Sequence, residues 1–518
     1  MIVKRVKLDT KKQNAVKKAL VDAIGAECVS DNPAVLYSYS GTSMAFPKAM
    51  PDFVVRPQSV DDVRRILAVA RKFQLPVTPV GSGTQEPSTY PWFGGIVIDC
   101  MRMNKIHEIS PEKGYAVIEM GVTIGKLARE LTPLGLRCTM GSFPPGISAL
   151  GNYIMTAANS HRTSGIMDDI LGLEVVMADG TLVWTGSKAF ASTYPTMGWH
   201  YPSNTFPNIK NLFIDACGTL GVITKGAVRV YSLGEERAMP VSAFEDYETA
   251  LKFMIRLARG NLVQHICCWH WCLYSIIDHL GKYRRGAPAD VLVYDPWTKP
   301  DERPYIMVVP SMAGFKEVVS ASVKAFERIT REMGGRIYTD ECKEKWQGAY
   351  KFFADHYRDH LPTDQFMGGF GEGIPMMPMV IADPTRVAGL ERWGLRFLRK
   401  SPLKLGLSYY SHGLDQCRSI FLRMTTFMPP DTSEKEMEKA KQTRAKYLEE
   451  AFKRYGAIPV RYDYGHPPGA VLKKTGGHEL VLKKIKTALD PDYILNSGMS
   501  ISMYGKPAMK KRKGKKDA

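Results

Sequence analysis

An α+β fold divided between several domains is the architecture this sequence predicts, and three observations carry it. The chain is 518 residues long, with 44% hydrophobic and 24% charged residues, which suits roughly two to four globular domains with an ample core. Between residues 53 and 106, short β-branched runs alternate with an amphipathic helical pattern around a Gly81-Ser82-Gly83-Thr84 loop. From 232 to 460, strand and helix patterns recur in four strand–helix units. Among them are a strand from Gln264 to Trp271 and a helix from Gly314 to Met333 with Phe315, Val318, Val319, Phe326, Ile329 and Met333 on one stripe, while Lys282 to Arg303 and Phe366 to Met377 read as irregular.

The elements follow in order. Asn14 to Ile24 has a helical pattern, and Phe53-Val54-Val55 reads as a strand. Ser59 is placed as an N-cap with Asp62 three residues later, a capping box. Val63, Ile66, Leu67, Ala70 and Phe73 then share one helical face. That helix stops before Pro76, and Val77 to Val80 forms the next strand, as in a βαβ unit. Gly81 to Thr84 and a polar loop lead to the strand Ile96 to Asp99. Strands joined through Gly, Ser and Thr let backbone N–H groups approach an anion such as a pyrophosphate. A strand at Tyr115 to Met120 and a short helix at Ile124 to Leu134 come next. Residues 141–161 are then crowded with Pro, Gly, Ser and Asn, and a loop this long is usually functional. A hairpin turns at Asp179-Gly180, and Gly218-Thr219-Leu220-Gly221 joins an apolar segment to another strand.

Charge and cysteine content bound the rest. The net charge is +18, and Lys506 to Ala518 alone holds seven Lys or Arg and one Asp. This end is read as a disordered basic tail suited to anionic surfaces. The body shows no nucleic-acid motif. No apolar run is long enough for a membrane span or a signal peptide, so a cytoplasmic location is expected, with peripheral membrane attachment as its variant. Nine cysteines occur with no CxxC pair. Cys268 and Cys272 lie near His265 and His270, but the segment reads as a buried strand rather than a metal site.

With these motifs in order, a resemblance emerges. Gly81-Ser82-Gly83-Thr84, Arg102-Met103-Asn104-Lys105-Ile106, the IEMGVT run at 118–123, PPGISALGN at 144–152, LGLEVVMADG at 171–180 and GTLGVIT at 218–224 stand in one register. Together they resemble the FAD-linked oxidase superfamily of vanillyl-alcohol oxidase, p-cresol methylhydroxylase, and D-lactate and glycolate dehydrogenases. The resemblance implies a two-subdomain FAD-binding domain of the p-cresol methylhydroxylase type over residues 50–232, with residues 1–49 as its N-terminal helical segment. It implies a duplicated ferredoxin-like cap over 233–460, and a C-terminal segment, 461–505, that returns to the FAD domain before the tail at 506–518.

It also implies site residues. For FAD these are Gly81, Ser82, Gly83, Thr84 and Gln85 at the pyrophosphate, then Pro145, Gly146, Ser148, Gly151 and Asn152. Ser160 and His161 fall near the flavin ring, Ile223 at the adenine, and Asn496 in the C-terminal turn, where Ser497 replaces the family's proline. The pyrophosphate loop lacks the histidine of the plant-type oxidases, so noncovalent FAD is expected. Arg461 stands where the aryl-alcohol branch holds its substrate phenolate, although Val460 replaces that branch's tyrosine and Tyr464 is the substitute. His412 and His466 survive from the metal motifs of the 2-hydroxyacid branch, but the acidic partners are degraded, so no metal is assigned. His412 as general base and Arg423 as carboxylate binder complete the catalytic candidates. The implied activity is an FAD-dependent oxidase or dehydrogenase that moves hydride from a hydroxylated carbon, on an aryl alcohol, phenol or 2-hydroxyacid, to flavin N5. The alternative is an FAD-containing electron-transfer subunit with little substrate chemistry. Expected partners are a small anionic or aromatic substrate, a cytochrome or iron–sulfur protein, and further copies of the chain.

Overall fold

The computed structural model describes residues 8–40, 49–83, 90–139, 144–155, 166–202, 207–282, 299, 302–362, 374–376, 378–400, 408–428, 432–460 and 472–499. Among the described residues the first unit holds a four-stranded and a five-stranded sheet over one core, and a two-stranded pair of Leu136–Arg137 with Tyr231–Ser232. In the four-stranded sheet the order is Val29–Ser30, Phe53–Val55, Ile96–Asp99, Val77–Val80. Phe53–Val55 and Val77–Val80 both run parallel to Ile96–Asp99, which lies between them. The helix Val60–Phe73 joins the two outer strands and begins as its sequence requires. Ser59 accepts from Asp62 N–H at 3.2 Å, and the Asp62 carboxylate accepts from Ser59 N–H at 3.0 Å. Its Val63, Ile66, Leu67 and Ala70 are buried. The second sheet is antiparallel, in the order Ile106–Ser110, Tyr115–Glu119, Val222–Arg229, Ile170–Val176, Leu182–Trp184.

The end of the chain enters this unit. Val77 N–H donates to Ile494 O, and Asn496 N–H to Val77 O, both at 2.7 Å. Ile494 and Leu495 share the core with Phe53, Ile66 and Ile118. The Val77 end of that strand's outer edge is thereby paired.

The second unit is a ten-stranded antiparallel sheet. Its central eight strands run in the order Arg336–Ile337, Ser242–Phe244, Ile306–Gly314, His265–His270, Ser408–Leu414, Ser419–Met428, Met379–Ala382, Ile458–Pro459. Each half of that row takes its four strands in the same relative order of sequence, and the halves meet where His265–His270 pairs Ser408–Leu414. The helices Tyr247–Arg259, Lys316–Glu332, Val387–Arg399 and Glu434–Tyr455 bury their apolar stripes on one face. Trp271–Lys282 and Gln347–Phe353 cover the other. Arg137 of the first unit donates to Gln264 Oε1 of the second at 2.6 Å.

Several local expectations change. Trp271 opens a helix rather than closing a strand, and that helix runs to Lys282. His270, the residue at the junction, is only 2% exposed, so no solvent-facing residue marks where the strand ends and the helix begins. Phe315 and Val318 were expected on the buried stripe of the following helix, yet are 67% and 53% exposed. The strand before them extends to Gly314, Phe315 becomes the extended residue ahead of Lys316, and Val319, Ser322, Phe326 and Ile329 face inward. Ile374–Met376, expected within an irregular loop, is a strand paired with Ser419–Met428. The Ile124 helix ends at Leu131, before a tighter turn over Thr132–Leu134. The rest of the 366–377 loop and nearly all of 283–301 lie outside the described residues, as does the basic tail.

Candidate active site

A cavity opens at the carboxyl end of Val77–Val80. Its rim includes Gly81, Ser82 and Gly83, with Gly151 and Ile154 on one side and Gly218, Gly221 and Ile223 on another. Two glycines are required by geometry. Gly218 has φ +68°, and a Cβ there would meet Pro79 Cγ at 2.4 Å. A Cβ on Gly151 would lie 2.8 Å from Ser148 Oγ. Both positions keep backbone at the cavity surface, where a side chain would fill it.

The expected cofactor residues are distributed unequally. Gly81, Ser82, Gly83, Gly151 and Ile223 line the cavity. Ser148 sits against Gly81, but its hydroxyl is used within the protein: it donates to Met120 O at 2.5 Å and accepts from Gly151 N–H at 2.9 Å. Pro145 and Gly146 are exposed and outside the lining. Asn152 is 1% exposed, and among the described residues neither its amide oxygen nor its amide nitrogen has a hydrogen-bond partner. A buried primary amide with both ends unsatisfied is costly without a ligand. Asn496 does not line the cavity but ties its walls together: it adopts φ +38°, donates Nδ2–H to Cys217 O at 2.5 Å, and bonds Val77 through its backbone. Thr84, Gln85, Ser160 and His161 lie outside the described residues.

Sequence reading missed Lys486. Its side chain is fully buried. The ammonium donates to Thr219 O at 2.6 Å, to Leu495 O at 3.0 Å and to the Asp490 carboxylate. Asp490 also accepts from Ile494 and Leu495 N–H at 3.1 and 2.9 Å. Burial pulls the lysine pKa down and the Asp490 charge opposes that fall. Thr219 lies in the turn whose flanking Gly218 and Gly221 line the cavity. The signal was present: Lys486 occupies an inward position among Leu482, Ile485 and Leu489, with an aspartate four residues on.

In the second unit, cross-strand pairing assembles a basic cluster on the sheet face opposite the four long helices. His412 pairs with Cys267 and Phe421, and Tyr410 with Arg423. The His412 ring lies 5.1 Å from His265 and 4.9 Å from Tyr410, centroid to centroid. Arg423 Nη1 donates to Tyr410 OH at 3.0 Å. His412 is 6% exposed and its Nδ1 has no hydrogen-bond partner. Burial, then the nearby His265, His356 and Arg423, hold its pKa well below the usual histidine value, so the ring is neutral. Among the described residues no three His, Cys, Asp or Glu side chains form a metal-binding group. Cys268 instead packs its thiol 3.0 Å from Ser411 Oγ. Arg461, Tyr464 and His466 lie outside the described residues.

The cavity's chemistry fits FAD. Glycine backbone at its rim suits a diphosphate, and Ile154 and Ile223 offer apolar wall to a ring. Comparison with known proteins agrees. Residues 51–186 match the FAD binding domain family. The glycolate oxidase subunit GlcD of Bacillus subtilis is 23% identical over 508 residues, covering 96% of this chain and 98% of that protein. A probable mitochondrial D-lactate dehydrogenase of Danio rerio is 29% identical over 245 residues, 46% of this chain and 47% of that protein. The solved structure of 4-ethylphenol oxidase from Gulosibacter chungangensis superposes with a TM-score of 0.83 at 17% identity, covering 96% of this chain and 99% of that one.

Proposed function

We propose, from the match of residues 51–186 to the FAD binding domain family and the similarity to glycolate oxidase and D-lactate dehydrogenase proteins, that this chain is an FAD-dependent oxidoreductase of the FAD-linked oxidase superfamily and that it dehydrogenates the hydroxyl-bearing carbon of a small anionic substrate, a 2-hydroxyacid before an aryl alcohol. FAD, when bound, supplies the hydride acceptor. Gly81, Ser82, Gly83 and Gly218 would approach its diphosphate through backbone, and Asn152 would satisfy its amide on the cofactor. The second unit reads as a duplicated ferredoxin-like cap, a reading supported by its repeated strand order.

The observation that carries the substrate assignment is the neutral, buried His412 beside Arg423 and Tyr410. Arg423 would hold the substrate's carboxylate through charge-assisted hydrogen bonds. His412 would accept the hydroxyl proton. A neutral imidazole is the form able to do so. An arriving anion would offset the positive charges that depress its pKa, so substrate binding itself would strengthen the base. Arg461, Tyr464 and His466, outside the described residues, remain proposed contributors from the C-terminal segment.

Anaerobic mixing of the yellow holoprotein with 2-hydroxyacids and with aryl alcohols tests this reading. Bleaching of the flavin by a hydroxyacid is the expected result. Bleaching by aryl alcohols alone would overturn the substrate assignment. Acid precipitation of the same sample should release the colour, as noncovalent FAD does. The second reading, an electron-transfer subunit, is favoured by the similarity to a protein named as a subunit; it predicts bleaching only when a partner protein is added.

A further inference from the structure

A buried carboxylate stands where the first unit gives way to the second. Just before the crossing, Tyr231–Ser232 pairs with Leu136–Arg137, Tyr231 opposite Arg137. Leu233 N–H then donates to Gly135 O at 2.8 Å. Gly234, at φ +81°, passes so close to the second unit that a Cβ would lie 2.6 Å from Gly314 N. Asp169, 1% exposed, accepts from the hydroxyls of Tyr231 and Thr139, one from each side of the strand pair. Thr139 N–H donates to Tyr153 OH at 3.2 Å, and Tyr153 belongs to the helix Ala149–Met155, whose Gly151 and Ile154 line the cofactor cavity. Arg137 lies with its guanidinium carbon 5.4 Å from the centre of the Tyr231 ring and donates across the boundary to Gln264. Gln264 carries the connection on: its Nε2–H donates to Ala313 O at 2.9 Å and its N–H to Ser311 O at 2.8 Å. The next residue, His265, pairs with Ser311 and faces His412.

We propose that Arg137 and Gln264 are positioning residues: their hydrogen bond, anchored on Asp169, sets where the His265–His270 strand and the neighbouring His412 stand against the cofactor cavity. Domains of one chain move relative to one another unless their interface fixes them. A buried guanidinium bond fixes angle as well as distance, because its donors form a rigid planar fork. Hydride transfer needs its reacting atoms about 3–3.5 Å apart, so a tilt at this junction is felt at the reacting carbon. Only the kinetic part of the test rests on the substrate assignment.

Gln264→Leu removes the acceptor for Arg137, and Gln264→Glu keeps it. In the full-length holoprotein, Gln264→Leu should speed amide hydrogen exchange over 231–238 and 264–270 by about tenfold, with exchange over 60–73 and the FAD content unchanged. The visible circular dichroism of the bound flavin, which reads the asymmetry of its surroundings, should alter. Flavin bleaching at saturation with the 2-hydroxyacid that reduces the parent fastest should slow about ten- to a hundredfold, with KM little moved. Gln264→Glu should stay near the parent in all three measurements. Unaltered exchange in Gln264→Leu would overturn the proposal. So would faster exchange with the parent's flavin dichroism, which would leave the bond a merely structural role, and so would a glutamate variant as perturbed as the leucine one. A parent that no hydroxyacid bleaches strikes the substrate assignment instead, and exchange and flavin dichroism then decide the role of this pair.

Discussion

Replacing Lys486 with methionine removes one buried cation and three hydrogen bonds at a stroke. The ammonium is wholly enclosed and serves Thr219 O, Leu495 O and Asp490. Methionine fills much the same volume, so the loss is electrostatic rather than a matter of packing. Asp490 would keep its two backbone donors, Ile494 and Leu495 N–H, but its charge would be buried without a counterion. Breaking one side of such a pair costs about 3–5 kcal/mol. Uptake of a proton by Asp490 places the outcome towards the lower figure. For a unit of this size that is a fall in melting temperature of about 6–15 °C. Because Thr219 sits in the turn that lines the cofactor cavity, FAD should also be held less tightly. Thermal unfolding of the holoprotein, followed by circular dichroism and by released flavin fluorescence, measures both effects. The Lys486→Met/Asp490→Asn double variant should lose less than the two single variants summed, since neither buried charge remains. A Lys486→Met protein that melts within about 1 °C of the parent and retains its flavin would refute the reasoning.

Other consequences can be checked together. Gly218→Ala places a Cβ 2.4 Å from Pro79 Cγ at φ +68°; the proline ring cannot swing away, so a cost of about 1–3 kcal/mol and a lower ratio of flavin to protein absorbance are expected. Arg423→Gln should raise KM for anionic substrates at unchanged FAD content, while His412→Gln should lower kcat; unchanged kinetics in either variant removes that residue from the mechanism. His270 is buried against Tyr409, and burial lowers its pKa from about 6.5 to about 3. The unfolded chain therefore binds the extra proton first, so stability falls with pH from about 6.5 down to about 3, by up to roughly 1.4 kcal/mol per unit. His270→Phe should flatten that acid limb in urea titrations at several pH values; an unaltered slope would show that this imidazole is not held neutral by burial.

The parts of the fold legible in the sequence are those with local signals. Ser59 and Asp62 mark a helix start by chemistry confined to four residues, and the Ser433–Glu436 pair caps the Glu434–Tyr455 helix in the same way. The glycines at 81–83 announce a close backbone approach. Where strand and helix are both buried, as from Ile266 through Asp278, burial marks no boundary between them, and Trp271 is assigned to the wrong element. The basic cluster is illegible for a different reason. His265 and His412 meet only because the halves of the sheet join edge to edge, and nothing in either stretch specifies that pairing. Lys486 lies between these cases: a lysine on an apolar stripe was visible, but its partners at Thr219 and Leu495 depend on the chain's return.

That return has a consequence for biosynthesis. The free edge of Val77–Val80 and the turn at Cys217 receive their last partners from Ile494, Leu495 and Asn496. On a ribosome, both walls of the cofactor cavity emerge long before the residues that fasten them. At about 5–20 residues per second the interval is on the order of half a minute. Throughout it a β-branched edge stays open to other nascent chains. Flavin capture thus waits for residues 494–496, and a chain stalled within the second unit would present Val77 and Cys217 without those partners.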